Sequence, residues 1–272
     1  MSKNINILKG GALIGALLIT AGTSVLAYDQ HNTHPALTDE IVDFYNLSFP
    51  DRKIIEQEKQ WLIQGSVDED NDGRSMSHFY DPVHNKGIQS VYTAYLPMAT
   101  AKDWALGNGT QRKFYNSQQT GFAAISDAPS NRDFSYQRAL DDYAKGDKQR
   151  AFTAFGHTLH LLEDMGVPDH TRNDAHPSWE ESPYEKEMAK WNSNNLQVAR
   201  KIFLTREKPV GLDSMAEYFD RMANYSNSNF FSKDTISNKE YSLPKLTSTR
   251  KININGKNLL FTTNKDEKGK EY

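Results

Sequence analysis

The sequence predicts an all-α protein, and three observations carry that expectation. Apolar residues recur at helical spacing through most of the chain after residue 36. Glycine and proline fall mainly between those stretches as breakers, Gly146, Gly166 and Pro168 among them, with Pro97 inside one. Strand-like alternation with a turn signal occurs in one short segment near the carboxyl end. With 272 residues the chain has room for one main domain and an appendage, since domains usually run about 100–200 residues.

Residues 1–10 are polar and carry Lys3 and Lys9, and residues 11–22 are apolar and uncharged. An apolar core of about a dozen residues is too short to span a bilayer, which takes roughly 20. Val25 and Ala27 are small residues just before Tyr28. Residues 1–27 therefore read as a signal peptide cut before Tyr28, with a retained helical anchor as the alternative. No later segment could span a membrane and no cysteine is available for lipidation, so the mature chain is expected to be soluble and secreted or periplasmic.

From there the spacing predicts helices over 37–46, with Ile41, Val42, Phe44 and Tyr45, and over 52–64, with Ile54, Ile55, Trp61 and Leu62. Residues 65–82 read as an acidic polar loop. A helix over 87–106 should kink or break near Leu96, because Pro97 lacks an amide hydrogen. Residues 107–131 are rich in breakers and read as loop. Two helices, 134–144 and 148–165, are split by Gly146, and Gly166 with Pro168 ends the second. Two more are expected over 184–204 and 212–227. Residues 28–229 thus make the helical domain and 230–272 an extension, in which 251–263 alternate around Asn255-Gly256 as a hairpin and the end frays.

Charge and cysteine narrow the chemistry. A net charge of −3, from 32 Lys and Arg against 35 Asp and Glu, offers no global basic surface for holding nucleic acid stably. The chain has no cysteine, which excludes disulfides, thiolate ligands and cysteine nucleophiles, so a metal must be held by His, Asp and Glu. The eight histidines are the residues to follow.

The most informative block is residues 154–173. His160 and Asp164 are four apart on one helix face, a spacing that lets two side chains share an ion, and His170 follows just after the helix is broken. Alone, such a pair also fits a core histidine and a solvated acid. Upstream, Asp70 precedes His78 by eight residues in the acidic loop, and His78 opens His-Phe-Tyr-Asp-Pro. Asp68, Asp70 and Asp72 with Gly73 imitate the start of a calcium loop, but Phe79 stands where a bidentate Glu is required. His157 lies one turn before His160 and reads as packed or hydrogen-bonded. His31 and His84 read as exposed loop residues, Asn173 and Asp174 as candidates to support the site, and Trp61, Trp104, Trp179 and Trp191 as core or rim.

The acidic segment with its glycine, His-Phe-Tyr-Asp-Pro, and Leu-His-x3-Asp-x5-His follow one another in order, and in this the sequence resembles the bacterial zinc-dependent phospholipase C family from about His34 to about Glu185. The resemblance implies a multi-helix phospholipase C-like domain with up to three zinc ions. It implies that Asp70, His78, His160 and Asp164 hold the first zinc. Asp164 would bridge to a second held by His34 and the amino group and carbonyl of Tyr28. His170 and His176 would hold the third with a carboxylate, Glu185 or alternatively Glu180 or Glu181. Asp70 would also orient or deprotonate the water that attacks phosphorus.

Two departures bear on substrate. The mature terminus would be Tyr rather than the family's Trp, six positions before His34, and Asn71 and Ser75 stand where family phospholipases place aromatics for choline. The substrate implied is a phospholipid or another phosphodiester, with peripheral membrane contact through rim residues. The alternatives are a single-strand nuclease on a similar scaffold and a zinc-binding protein without turnover.

Overall fold

The computed structural model describes residues 28–71, 74–90, 98–108, 112–116, 123–127, 133–176, 182–192, 194, 197–206, 211–236, 238–242, 248–254 and 257–263. The proposed signal peptide, Asp72, Gly73, Trp179, Glu180, Glu181, the Pro97 break, the Asn255-Gly256 turn and the expected frayed end lie outside them. The fold is all-α, as expected. Its helices are α1 Thr33–Ser48, α2 Glu56–Asp68, α3 Ala101–Leu106, α4 Tyr136–Ala144, α5 Lys148–Asp164, α6 Pro168–Thr171, α7 Pro183–Met188, α8 Ala199–Thr205 and α9 Met215–Asn229. Among the described residues no helix is long and apolar enough to cross a membrane.

Helix starts follow their capping residues. Thr100, Ser135, Asp147, Ser182 and Ser214 each accept a backbone N–H of the first turn through the side chain, satisfying a donor the helix cannot. Gly146, at φ 85°, makes the left-handed turn that separates α4 from α5. The core forms where α3, α5 and α9 meet, around Trp104, Leu161, Met165, Phe219 and Ala223. A second cluster, Val42, Leu62 and Leu159, joins α1, α2 and α5.

Helix α2 runs through Gly65 to Asp68, where the sequence reads as loop. The physical reason is close packing: a Cβ on Gly65 would stand 2.0 Å from the Thr153 carbonyl oxygen, and one on Gly156 2.1 Å from that of Leu62. Facing glycines let the α2 and α5 backbones touch, so Gly65 is a contact and not a breaker.

Three other expectations are corrected. The helix expected over 184–204 is two, α7 and α8: past Met188 the backbone tightens, the Lys190 amide donating to the Glu187 carbonyl and that of Trp191 to Met188, and the Asn192 carboxamide then accepts the Asn194 amide (2.9 Å). Residues 107–131 contain an antiparallel hairpin, β1 Arg112–Asn116 with β2 Ala123–Asp127, where the breakers concealed two short strands. Among the described residues of 87–106, helix is confined to α3. The carboxyl-terminal hairpin is present, β3 Ser248–Ile254 pairing antiparallel with β4 Lys257–Thr263, Ile254 opposite Lys257.

Candidate metal centre

The centre gathers at the carboxyl ends of α2 and α5. Helix α5 supplies His160 and Asp164, α2 ends one residue before Glu69-Asp70, and α1 brings His34 at its first turn. The 78–80 segment and His170 are joined through backbone: His170 Nδ1 bonds to the His78 carbonyl at 2.9 Å, and the Tyr80 amide donates to the His170 carbonyl at 3.1 Å. Phe79 stacks on the His170 ring at 4.3 Å. His34, His78, His160, Asp164 and His170 are all fully buried, and Asp70, His176, Glu185 and Tyr28 nearly so.

Distances divide the residues into groups. His78 Nδ1 lies 3.0 Å from Asp164 Oδ2, 3.3 Å from His160 Nε2 and 3.6 Å from Asp70 Oδ1. His160 Nε2 is 3.5 Å from Asp164 Oδ2 and 3.7 Å from Asp70 Oδ1. An ion bound tetrahedrally at about 2.0–2.1 Å keeps its donor atoms about 3.3–3.4 Å apart, and Asp70, His78 and His160 form a group spaced to hold one, with Asp164 Oδ2 beside both imidazoles. The other Asp164 oxygen, Oδ1, is 3.4 Å from His34 Nε2, and His34 stacks on His160 at 3.6 Å. His34, His160 and Asp164 form a second group that could hold a metal, sharing Asp164 and His160 with the first.

A third, looser set lies beside them. His170 Nε2 is 3.8 Å from Glu185 Oε1, while Glu185 Oε2 bonds to His176 Nε2 at 2.7 Å. Among the described residues, Glu185 thus has one carboxylate oxygen near His170 and the other on His176. Tyr28 reaches the centre through its ring, edge-on to His34 at 5.4 Å, and its hydroxyl is paired with that of Tyr184 at 2.9 Å. Any role of Tyr28 as ligand thus belongs to its backbone.

The nitrogens facing away from the centre are mostly tied down. His160 Nδ1 bonds to the Ser66 carbonyl (2.6 Å), His34 Nδ1 to Glu163 Oε2 (2.7 Å) and His176 Nδ1 to the Asp174 carbonyl (3.1 Å). Holding one nitrogen fixes the ring and leaves the other for an ion. The inward atoms His34 Nε2, both oxygens of Asp70 and Asp164, His170 Nε2 and Glu185 Oε1 are buried without a hydrogen-bond partner. So many orphaned polar atoms would be costly in a closed interior, and a cation among them removes the cost.

Charge follows the same geometry. Burial would lower His34 and His78, but the carboxylates facing them push both up to about 10. Burial lifts Asp70 to about 7. Asp164 is held well below the usual carboxylate range by His160, His170 and His78 despite its burial. Burial, together with the positive His34 and His78 beside it, drives His160 well down, and burial takes His170 to about 4. Burial raises Glu185 to about 7, and Glu185 in turn raises His176 to about 9 against its burial. In the absence of an ion the centre holds protons where a metal would sit.

Glu163 and Glu69 are the functional residues that sequence reasoning missed. Glu163 backs His34 and accepts Thr38 Oγ1 at 3.0 Å. Each Glu directly precedes a candidate ligand Asp, and a second acid beside a ligand was the only signal available. His157 bonds to Glu69, and His31 and His84 are exposed, as expected. Asn173 accepts the Gln89 amide, and of that pair it is Asp174 whose carbonyl meets the site. Trp104 is core, Trp61 half-buried and Trp191 exposed.

No family model matches the chain, and no curated protein matches it. Among solved structures, Alpha Toxin from Clostridium Absonum is similar at 15% identity and a TM-score of 0.43, over 73% of this chain and 53% of that one. The chain spans about half the length of that toxin.

Proposed function

We propose that this chain is a secreted zinc-dependent phosphodiesterase, of phospholipase C type, that cleaves the glycerol-side phosphodiester of phospholipids. The observation that carries the reading is the pair His78 and His160, whose nitrogens lie 3.3 Å apart and each 3.0–3.7 Å from a buried oxygen of Asp70 and one of Asp164. A mixed imidazole and carboxylate donor set suits zinc, and with three protein-held groups sharing ligands it suits two to three ions. Zinc, when bound, supplies neutralisation of phosphate oxygens, a lowered pKa for water and stabilisation of the leaving alkoxide.

The chain's own residues supply the rest. Asp70, beside His78 and His160, would hold the attacking water and take its proton. Tyr28, if freed by signal cleavage, starts the mature chain against His34, so its amino group would complete the His34 and Asp164 group. Phospholipid is favoured as substrate by the His-Phe-Tyr-Asp-Pro segment and by the acidic balance of the chain.

The test uses the mature protein starting at Tyr28 without an amino-terminal tag. Zinc is counted by elemental analysis, and phospholipid and single-stranded DNA are assayed in parallel. Two to three zinc ions with lipid cleavage support the reading. Cleavage of DNA alone replaces it with a nuclease, zinc without turnover leaves a binding protein, and no zinc ends it.

A further inference from the structure

Beneath the metal centre, and outside the ligand set, lies a buried network built on Glu69. Its carboxylate has no solvent exposure. Oε2 accepts Arg74 Nε at 2.7 Å and His157 Nδ1, and Oε1 accepts Trp104 Nε1 at 2.8 Å. The Arg74 guanidinium lies over the rings of Trp104 (4.8 Å) and Phe134 (5.4 Å), and Phe134 stacks on His157 at 4.2 Å. Three residues from three parts of the chain, Arg74, Trp104 and His157, thus hold one carboxylate in place, with Phe134 packed against two of them.

What that carboxylate faces is His78. Oε1 lies 3.6 Å from His78 Nε2, the ring nitrogen that points away from Asp70, Asp164 and His160 and has no hydrogen-bond partner of its own. Oε1 has a second lone pair beyond the one that takes Trp104. A ring movement of about 0.7 Å would bring the pair to the usual N–H···O length of about 2.9 Å. Every other imidazole of the centre already has its outward nitrogen on an oxygen, so His78 is the ring still to be closed.

We propose that Glu69 is the positioning residue of the first metal group: it accepts the Nε2 hydrogen of His78 and thereby turns Nδ1 to the ion. The inference rests on the metal reading above and adds that this ligand's orientation is set by an anchored carboxylate. Arg74, Trp104 and His157 hold that carboxylate still, and removing its acceptor oxygen should loosen the ligand without removing it.

The test pairs a variant with a spectrum of the unaltered protein. Glu69→Gln should weaken zinc binding at the first group by about 10- to 100-fold in a competition titration with a chelator. Thermal melting of the metal-free variant is run alongside, since a purely structural role would lower the Tm and leave zinc affinity intact. In the zinc-loaded, 15N-labelled wild type, long-range 1H–15N spectra should show His78 protonated on Nε2, hydrogen-bonded and slow to exchange, with Nδ1 bound to metal. These spectra decide the matter if the variant does not fold. Zinc affinity within threefold of wild type in a folded variant overturns the inference and leaves the metal reading standing. So does zinc on His78 Nε2, or a freely exchanging hydrogen there. A wild type that binds no zinc takes down both.

Discussion

His34 Nε2 and Asp164 Oδ1 lie 3.4 Å apart at the centre of the molecule, both buried and neither hydrogen-bonded. The same Asp164 places its other oxygen 3.0 Å from His78 Nδ1. One carboxylate therefore serves two groups of candidate ligands, and the consequences can be tested.

Replacing Asp164 by Ala should remove more than one metal ion per chain, because both compact groups lose a shared donor. Elemental analysis of the purified variant beside wild type reads this directly. Loss of a single ion, or none, would deny Asp164 its bridging place.

Asp70 to Asn keeps shape and volume but removes the proton acceptor. Turnover on phospholipid should fall by about 10²- to 10⁴-fold while the far-UV circular dichroism stays unchanged. Unaltered turnover would remove Asp70 from both of its proposed roles.

Metal uptake should release protons. Near pH 8 the metal-free protein carries them on His34 and His78, raised to about 10, and on His176, raised to about 9. Ligand nitrogens must lose theirs to bind. Calorimetric titration with zinc in buffers of different ionisation enthalpy should show more than one proton released per chain, and release should grow as the pH is lowered toward the Asp70 and Glu185 values of about 7.

The metal-free protein should lose stability as the pH rises from 7 to 10. His34 and His78 have folded values above the unfolded value of 6.5, so in this window the folded chain binds protons that the unfolded chain does not. Each such group contributes a slope of about 1.4 kcal/mol per pH unit, fully favourable below 6.5 and gone above about 10. At about 2–4 °C per kcal/mol the Tm of the chelated protein should drop by several degrees per pH unit. The zinc-loaded protein should not share that slope, and a chelated protein with a flat profile would contradict the charge states.

Gly156→Ala should be costly out of proportion to one methyl group. The new Cβ would stand 2.1 Å from the Leu62 carbonyl oxygen, forcing α5 off α2 at an overpacking cost of about 1–3 kcal/mol. Because α2 presents the Ser66 carbonyl to His160, zinc affinity should fall along with the Tm. A lowered Tm with unchanged affinity would separate the helix contact from the metal centre.

Much of this was legible locally. His160 and Asp164 share a helix face because 3.6 residues make a turn, and Pro168 places His170 at the break; both follow from neighbours in sequence. The errors also have local causes. Gly65 carries the ordinary mark of a breaker, and only the opposing Thr153 backbone makes it a helical contact. The 184–204 stretch has helical spacing, and the backbone turns out of the helix after Met188.

The sequence by itself determined the all-α class, the absence of thiolate chemistry and the short motifs that carry the candidate ligands, since each depends on residue type and spacing within a few turns. Only the tertiary structure brings Glu185 to His170 and His176, Glu163 to His34, and Glu69 behind His78. Those pairings join residues from nine to 129 positions apart, none of them at a spacing that a single helix or strand would encode. They exist because packing α2, α5 and the 78–80 segment together leaves buried polar atoms that must find partners or an ion.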